Sequence, residues 1–130
     1  MIHAKSIMSK KITTVTKDTN IRHVMRLLSE KQVTGLPVVS QDMRLLGIVT
    51  EKDILEELLY GKDVKTKTAG DLMTADIVSF DENEDLMTIF RTLVEDNFRR
   101  VPILSNGKLA GIISRRDIIN FLSERSNGNA

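Results

Sequence analysis

Cysteine is absent from this chain, and so is tryptophan; there are only two prolines, one tyrosine and four phenylalanines. Without cysteine there is no disulfide framework, no thiolate metal site and no cysteine nucleophile. That usage fits a reducing compartment, and the expectation is a soluble cytoplasmic protein. Neither sign of charge dominates. Nineteen basic residues against eighteen acidic ones leave +1, so no long-range field points to nucleic acid or a membrane. No apolar run approaches the roughly 20 residues that span a bilayer. The lead Met1-Ile2-His3-Ala4 opens no stretch resembling a signal peptide. What is present is an ordinary globular composition, 41% hydrophobic and 28% charged over 130 residues.

The chain repeats itself. Lys5-Ser6-Ile7-Met8-Ser9 and the residues to Val15 match Gly70-Asp71-Leu72-Met73-Thr74 and the residues to Phe80, at an offset of 65. Ile12 pairs with Ile77, Ile21 with Leu86, Leu28 with Leu93, and Pro37 with Pro102. After the prolines the offset becomes 64, so Gly47 matches Gly111 and Asp53 matches Asp117. Internal repetition of this kind identifies a duplicated supersecondary unit.

Each copy reads as β-α-β-β-α. Short alternating segments at Ile12 to Val15 and Ile77 to Phe80 precede a helix. The apolar positions Ile21, Val24, Met25 and Leu28, and Leu86, Ile89, Phe90 and Leu93, follow the i, i+3, i+4, i+7 spacing of one helical face. The acidic run Asp81 to Asp85 complements the start of the second of these helices. Two strands follow, Leu36 to Val39 with Leu46 to Val49, and Val101 to Leu104 with Ala110 to Ile113. The dipeptide Asn106-Gly107 predicts a tight hairpin turn in the second copy. Closing helices are expected at Glu51 to Leu59 and Arg115 to Leu122. Residues 61–70 read as a polar linker and residues 125–130 as a disordered tail. One copy alone is too small to bury a good core. The expected fold is therefore α/β of the α+β kind: two repeats, residues 4–60 and 71–124, packed through their sheets as a pseudo-two-fold pair with clefts between them.

One motif occurs in both copies where the last strand enters the closing helix: Gly47-Ile48-Val49-Thr50-Glu51-Lys52-Asp53 and Gly111-Ile112-Ile113-Ser114-Arg115-Arg116-Asp117. A hydroxyl followed three residues later by a carboxylate is a helix-capping pattern. The same geometry suits a ligand. Helix N-termini offer free N–H groups to a phosphate, and an ionised carboxylate accepts from neighbouring ribose hydroxyls. Arg99, Arg100, Arg115 and Arg116 add phosphate-gripping forks in the second copy, where the first has only Lys52.

With the repeat, the strand prolines and the paired Thr/Ser-x-x-Asp endings in register, the chain resembles a tandem pair of CBS domains, a Bateman module, from about Ala4 to Leu122. The resemblance implies a regulatory module rather than an enzyme, whose ligand is an adenosine compound: AMP first, then ADP or ATP, or S-adenosylmethionine. It implies that Asp53 and Asp117 hold ribose hydroxyls and that Thr50 and Ser114 touch phosphate or ribose. It implies that the backbone at Gly35, Leu36, Pro37, Val101, Pro102 and Ile103, with Ile12, Thr13, Thr14, Ile77 and Val78, brackets adenine. Arg100 would reach phosphate, with Arg116 nearby; Gly35 stands where the first copy lacks that basic residue. One site would then join Ser114, Asp117 and Arg100 to Ile12, Thr13 and Thr14, and the other would join Thr50 and Asp53 to Ile77 and Val78, the first binding better. Arginines disfavour the sulfonium of S-adenosylmethionine, because like charges repel. Ligand binding would shift a population read by a dimer mate or an effector protein.

A ligand-free interaction or dimerisation module is the rival reading, with Met25, Met43, Met73 and Met87 as adaptable surface and the two motifs as caps only. Nucleic-acid binding has the four arginines for it and the scarcity of aromatics against it. Catalysis has little to work with, since His3 and His23 are the only histidines and no nucleophile, P-loop or metal-pair motif accompanies them.

Overall fold

The computed structural model describes residues 1–61 and 63–128. Contacts divide the chain into two compact units, Thr13–Ile77 and Met1–Ile12 with Val78–Ala130. The class is mixed α+β, with one copy of the repeat's strands and helices in each unit.

In the unit Thr13–Ile77, helix α1 (Ile21–Lys31) starts at Asn20, whose side chain accepts the Arg22 N–H, and stops at Gln32 in the left-handed region. It buries Ile21, Val24 and Leu28, the face read from the spacing, while Met25 stays at the margin. Strands β1 (Gly35–Val39) and β2 (Leu45–Thr50) pair antiparallel. Helix α2 (Glu51–Tyr60) closes the repeat and buries Ile54 against the same core. The expected strand at Ile12 to Val15 is reduced to one bridge, Val15 to Val38. Among the described residues two backbone bonds hold it, Val15 N–H to the Pro37 carbonyl and Val39 N–H to the Val15 carbonyl, and Pro37 has no N–H to extend the ladder.

The stretch read as a linker, residues 61–70, is built into this unit, although Lys62 lies outside the described residues. Val64 and Ala69 enter the core. Thr68 and Asp71 form a reciprocal capping box around a short helix α3 (Ala69–Leu72). That helix leads to Thr74, whose backbone exchanges hydrogen bonds with Ile48 at 2.8 and 2.9 Å.

In the other unit, β3 (Phe80–Asp81) runs parallel to β4 (Arg100–Ser105), which pairs antiparallel with β5 (Lys108–Ser114). Asn106 and Gly107 both have positive φ, 53° and 79°, as the tight turn requires. Helix α4 (Leu86–Glu95) buries Leu86, Ile89 and Leu93. Asp85 stands at its N-cap without a side-chain cap bond, so the acidic run meets the helix by position alone. Helix α5 (Arg115–Gly128) continues past the Leu122 end read from the sequence. The segment expected as a disordered tail is thus helical to Gly128, and its last residues, Asn129 and Ala130, lie outside the described ones.

The N-terminal segment belongs to this unit. Ala4 is fully buried among Leu86, Ile89 and Val101. Its N–H donates to the Glu84 carbonyl at 2.9 Å, and Ser9 pairs with Ile112 as Thr74 pairs with Ile48. The first residues of each sequence repeat therefore pack with the sheet of the other copy, and the compact units do not follow the bounds 4–60 and 71–124.

Candidate functional site

The two Thr/Ser-x-x-Asp motifs sit where a strand becomes a helix. Thr50 has extended backbone, φ −120° and ψ 165°, as an N-cap must. Its N–H and its hydroxyl both donate to Asp53 Oδ2 at 2.8 Å, and the Asp53 N–H donates back to Thr50 Oγ1 at 3.2 Å. Ser114 repeats the pattern: N–H and hydroxyl donate to Asp117 Oδ2 at 2.7 and 2.9 Å, and the Asp117 N–H donates to Ser114 Oγ at 3.1 Å. Both motifs are capping boxes. A carboxylate has acceptor places for about four donors, so capping consumes one oxygen and leaves the other.

The two remaining oxygens differ. Asp117 Oδ1 has no protein donor among the described residues. Asp53 Oδ1 accepts from Thr74 Oγ1 at 3.4 Å. Thr74 was not among the residues singled out from the sequence. Its signal lay in the repeat starts Met8-Ser9 and Met73-Thr74, which place a hydroxyl beside each motif.

The surroundings differ more. An open hollow of about 390 Å³ is lined by Arg99, Arg100, Ser114, Arg115, Arg116 and Ile119. Arg100 begins β4 directly opposite Ser114. Its Nε is shielded from solvent and has no hydrogen-bond partner among the described residues, a donor left for something else to satisfy. Arg115 is spent. Its guanidinium donates to the carbonyls of Phe98 and Leu93 at 3.0 and 3.2 Å and to Asn97 Oδ1 at 2.9 Å. It closes the C-terminal end of α4, where carbonyls lack helical partners. Arg99 and Arg116 are exposed at the rim.

In the first copy, Gly35 faces Thr50 across β1 and β2. A Cβ there would lie 3.1 Å from the Thr50 methyl. Lys52, the counterpart of Arg116, is exposed and lies 3.7 Å from Glu56.

The bracketing residues are placed as follows. The side chains of Leu36, Val101 and Ile103 are buried in the cores, and Pro37 and Pro102 are buried too, so only their backbone is open to a ligand. The Pro37 carbonyl already accepts from Val15. Ile12, Thr13, Thr14 and Ile77 are half-buried and Val78 is exposed. Ile12 shares a unit with Ser114, Asp117 and Arg100, and Thr13 and Thr14 share one with Thr50 and Asp53. Ile77 also belongs with Asp53, and Val78 with Asp117. His23 is exposed on α1, and the His3 backbone bridges to Asp85. No three His, Asp or Glu side chains gather among the described residues as a metal ion would require. Among the same residues no helix is long and apolar enough to cross a membrane.

Comparison with known proteins gives a consistent picture. The family model described as CBS domain matches twice, over residues 4–60 and 69–124. Hypoxic response protein 1 of Mycobacterium tuberculosis is 32% identical over 127 residues, 97% of this chain and 89% of that protein. Protein MJ1225 of Methanocaldococcus jannaschii is 31% identical over 118 residues, and the chain spans 42% of its length. Among solved structures, CBSX2, known from Arabidopsis thaliana, was crystallised in complex with AMP. It superposes with a TM-score of 0.84 at 29% identity, covering 97% of this chain and 99% of that one.

Proposed function

This chain belongs to the CBS-domain family, with two copies in tandem, and we propose that it is a regulatory module that senses an adenosine nucleotide rather than an enzyme. The observation that carries the reading is the Ser114–Asp117 cap beside the arginine hollow. Asp117 Oδ1 is an open acceptor suited to ribose hydroxyls, and Arg100 holds an unsatisfied shielded donor suited to phosphate. AMP is the first ligand, ahead of ADP and ATP; the AMP bound to CBSX2 supports AMP as a ligand. The arginines disfavour the cationic S-adenosylmethionine. Occupancy favours one conformation of the module, which a dimer mate or a separate effector protein reads.

The rival reading, a ligand-free interaction module, is favoured by one observation. Leu55, Leu58, Leu59 and Tyr60 on α2 and Ile119 and Leu122 on α5 are large, apolar and exposed. Leu55 and Leu58 recur as Ile119 and Leu122 at the repeat offset, so the duplication keeps one apolar face in both copies. We assign this face to a homodimer that displays the sensor, so the two readings combine.

Isothermal titration calorimetry against AMP, ATP and S-adenosylmethionine tests the sensor, with Asp117→Ala as control. Binding of AMP that this variant abolishes is the expected result. No heat from folded protein with any of the three defeats it and leaves the interaction module. Analytical ultracentrifugation of Leu55→Glu tests the dimer; a wild-type monomer sinks that part alone.

A further inference from the structure

Resting on the nucleotide reading, we infer that the two copies of the motif are unequal and that each chain holds one nucleotide, at Ser114–Asp117, with Thr74, Gly35 and Glu51 disabling the Thr50–Asp53 copy.

The hydrogen bonds that form the cap match between the two copies. The Glu51 N–H donates to the Thr34 carbonyl at 2.9 Å, as the Arg115 N–H donates to that of Arg99 at 3.1 Å. Thr74 and Ser9 make matching backbone pairs with Ile48 and Ile112. The side chains around the two caps differ, and each difference works in one direction. The Thr74 hydroxyl rests on Asp53 Oδ1, whereas Ser9 makes no such bond to Asp117 among the described residues. A ribose diol reaching Asp53 meets an oxygen that Thr74 already contacts, with one acceptor place fewer than on Asp117.

Charge separates the copies further. Thr34, Gly35, Glu51 and Lys52 together carry no net charge, while their counterparts Arg99, Arg100, Arg115 and Arg116 carry four positive ones. Glu51 is exposed in the first turn of α2, where it repels the anion that a helix start otherwise attracts. Lys52 has Glu56 beside it. Gly35 cannot simply regain an arginine, because the Thr50 methyl crowds its Cβ position. Ser114, lacking that methyl, leaves room for Arg100. Loss of one charge-assisted phosphate contact weakens binding by about tenfold to a hundredfold, and the first copy lacks more than one.

Titration calorimetry of the wild-type chain with AMP is expected to give one site per chain, and Asp117→Ala to remove it. Should that variant lose its fold by circular dichroism, Arg100→Gln takes its place, since Arg100 Nε bonds nothing among the described residues, and affinity should fall at least about tenfold. The quadruple variant Gly35→Arg, Thr50→Ser, Glu51→Arg, Thr74→Ala should gain a second site. Two wild-type sites, one site that survives Asp117→Ala or is indifferent to Arg100→Gln, or no second site in the folded quadruple variant, overturns the inference while the sensor reading stands. No wild-type binding defeats both.

Discussion

Arg100 and Ser114 stand opposite each other across β4 and β5, and the matching pair in the other repeat is Gly35 and Thr50. Large residue faces small in one copy, and small faces large in the other. The Thr50 methyl would lie 3.1 Å from a Cβ on residue 35, and an Ile48 methyl 3.4 Å from it. Replacing glycine by alanine restricts the unfolded chain and would stabilise by about 0.4–1 kcal/mol if the site had room; overpacking costs about 1–3 kcal/mol. Gly35→Ala should therefore lower stability by about 1 kcal/mol. In a Thr50→Ser background it should become neutral or stabilising. A urea double-mutant cycle measures the coupling, and an additive cycle would refute it.

Arg115 lines the hollow, yet its work is internal. Three acceptors near the end of α4 share its guanidinium. Arg115→Ala should cost about 1–3 kcal/mol of stability, read by thermal or urea unfolding. Arg116→Ala, at an exposed residue in no ion pair among the described residues, should change stability by less than about 0.5 kcal/mol. Equal losses from the two would mean that Arg115 has no structural role.

The N-terminus is part of the second repeat's unit. Ile2, Ala4, Ile7 and Met8 pack on that core, and the Ile2 carbonyl accepts from the Leu86 N–H at 2.8 Å. Deleting residues 1–9 should destabilise this unit by at least about 2 kcal/mol, the worth of burying one or two such side chains. Hydrogen exchange should show protection lost in α4, β4 and β5 while α1, β1 and β2 keep theirs. Loss confined to the first repeat would contradict the assignment.

Acid should loosen the segment before Thr74. The Thr68 N–H, then its hydroxyl, holds the Asp71 carboxyl below the ordinary carboxylate value. A folded value below the unfolded one means the contribution is complete above the unfolded value, near 3.9, and is lost as pH falls through the folded value. Carbon NMR of the Asp71 carboxyl should titrate below pH 3.9, and Thr68→Val should move it up. An unchanged midpoint in that variant would remove the Thr68 hydroxyl as a cause and leave the backbone N–H alone.

Much of this protein is local and was legible from residue order. The 3.6-residue spacing marked the buried faces of α1 and α4, because a helix exposes its periodicity whatever it packs against. Asn106-Gly107 marked its turn, because few other residues accept two positive φ values. The paired hydroxyl and aspartate marked both caps for the same reason of local reach. Two strands and the tail were misjudged where local signals are weak: the Ile12 to Val15 strand shrank to one bridge, the strand expected at Ile77 to Phe80 formed only at Phe80–Asp81, and α5 ran on to Gly128.

What only the tertiary structure decided is who partners whom. Residue type shows that Ala4 and Val64 are apolar, but not that residues 1–12 serve the second copy's core or that the polar stretch 61–70 supplies the first's. Two pairs of arginines show charge, but not that Arg115 is consumed by acceptors at the end of α4 and just beyond it while Arg100 Nε has no partner among the described residues. Two identical capping boxes look equal in sequence. They differ because Thr74, 21 residues beyond Asp53, is brought onto its second oxygen by a backbone pairing with Ile48. Contacts across such separations depend on how the chain closes on itself, which no local pattern encodes.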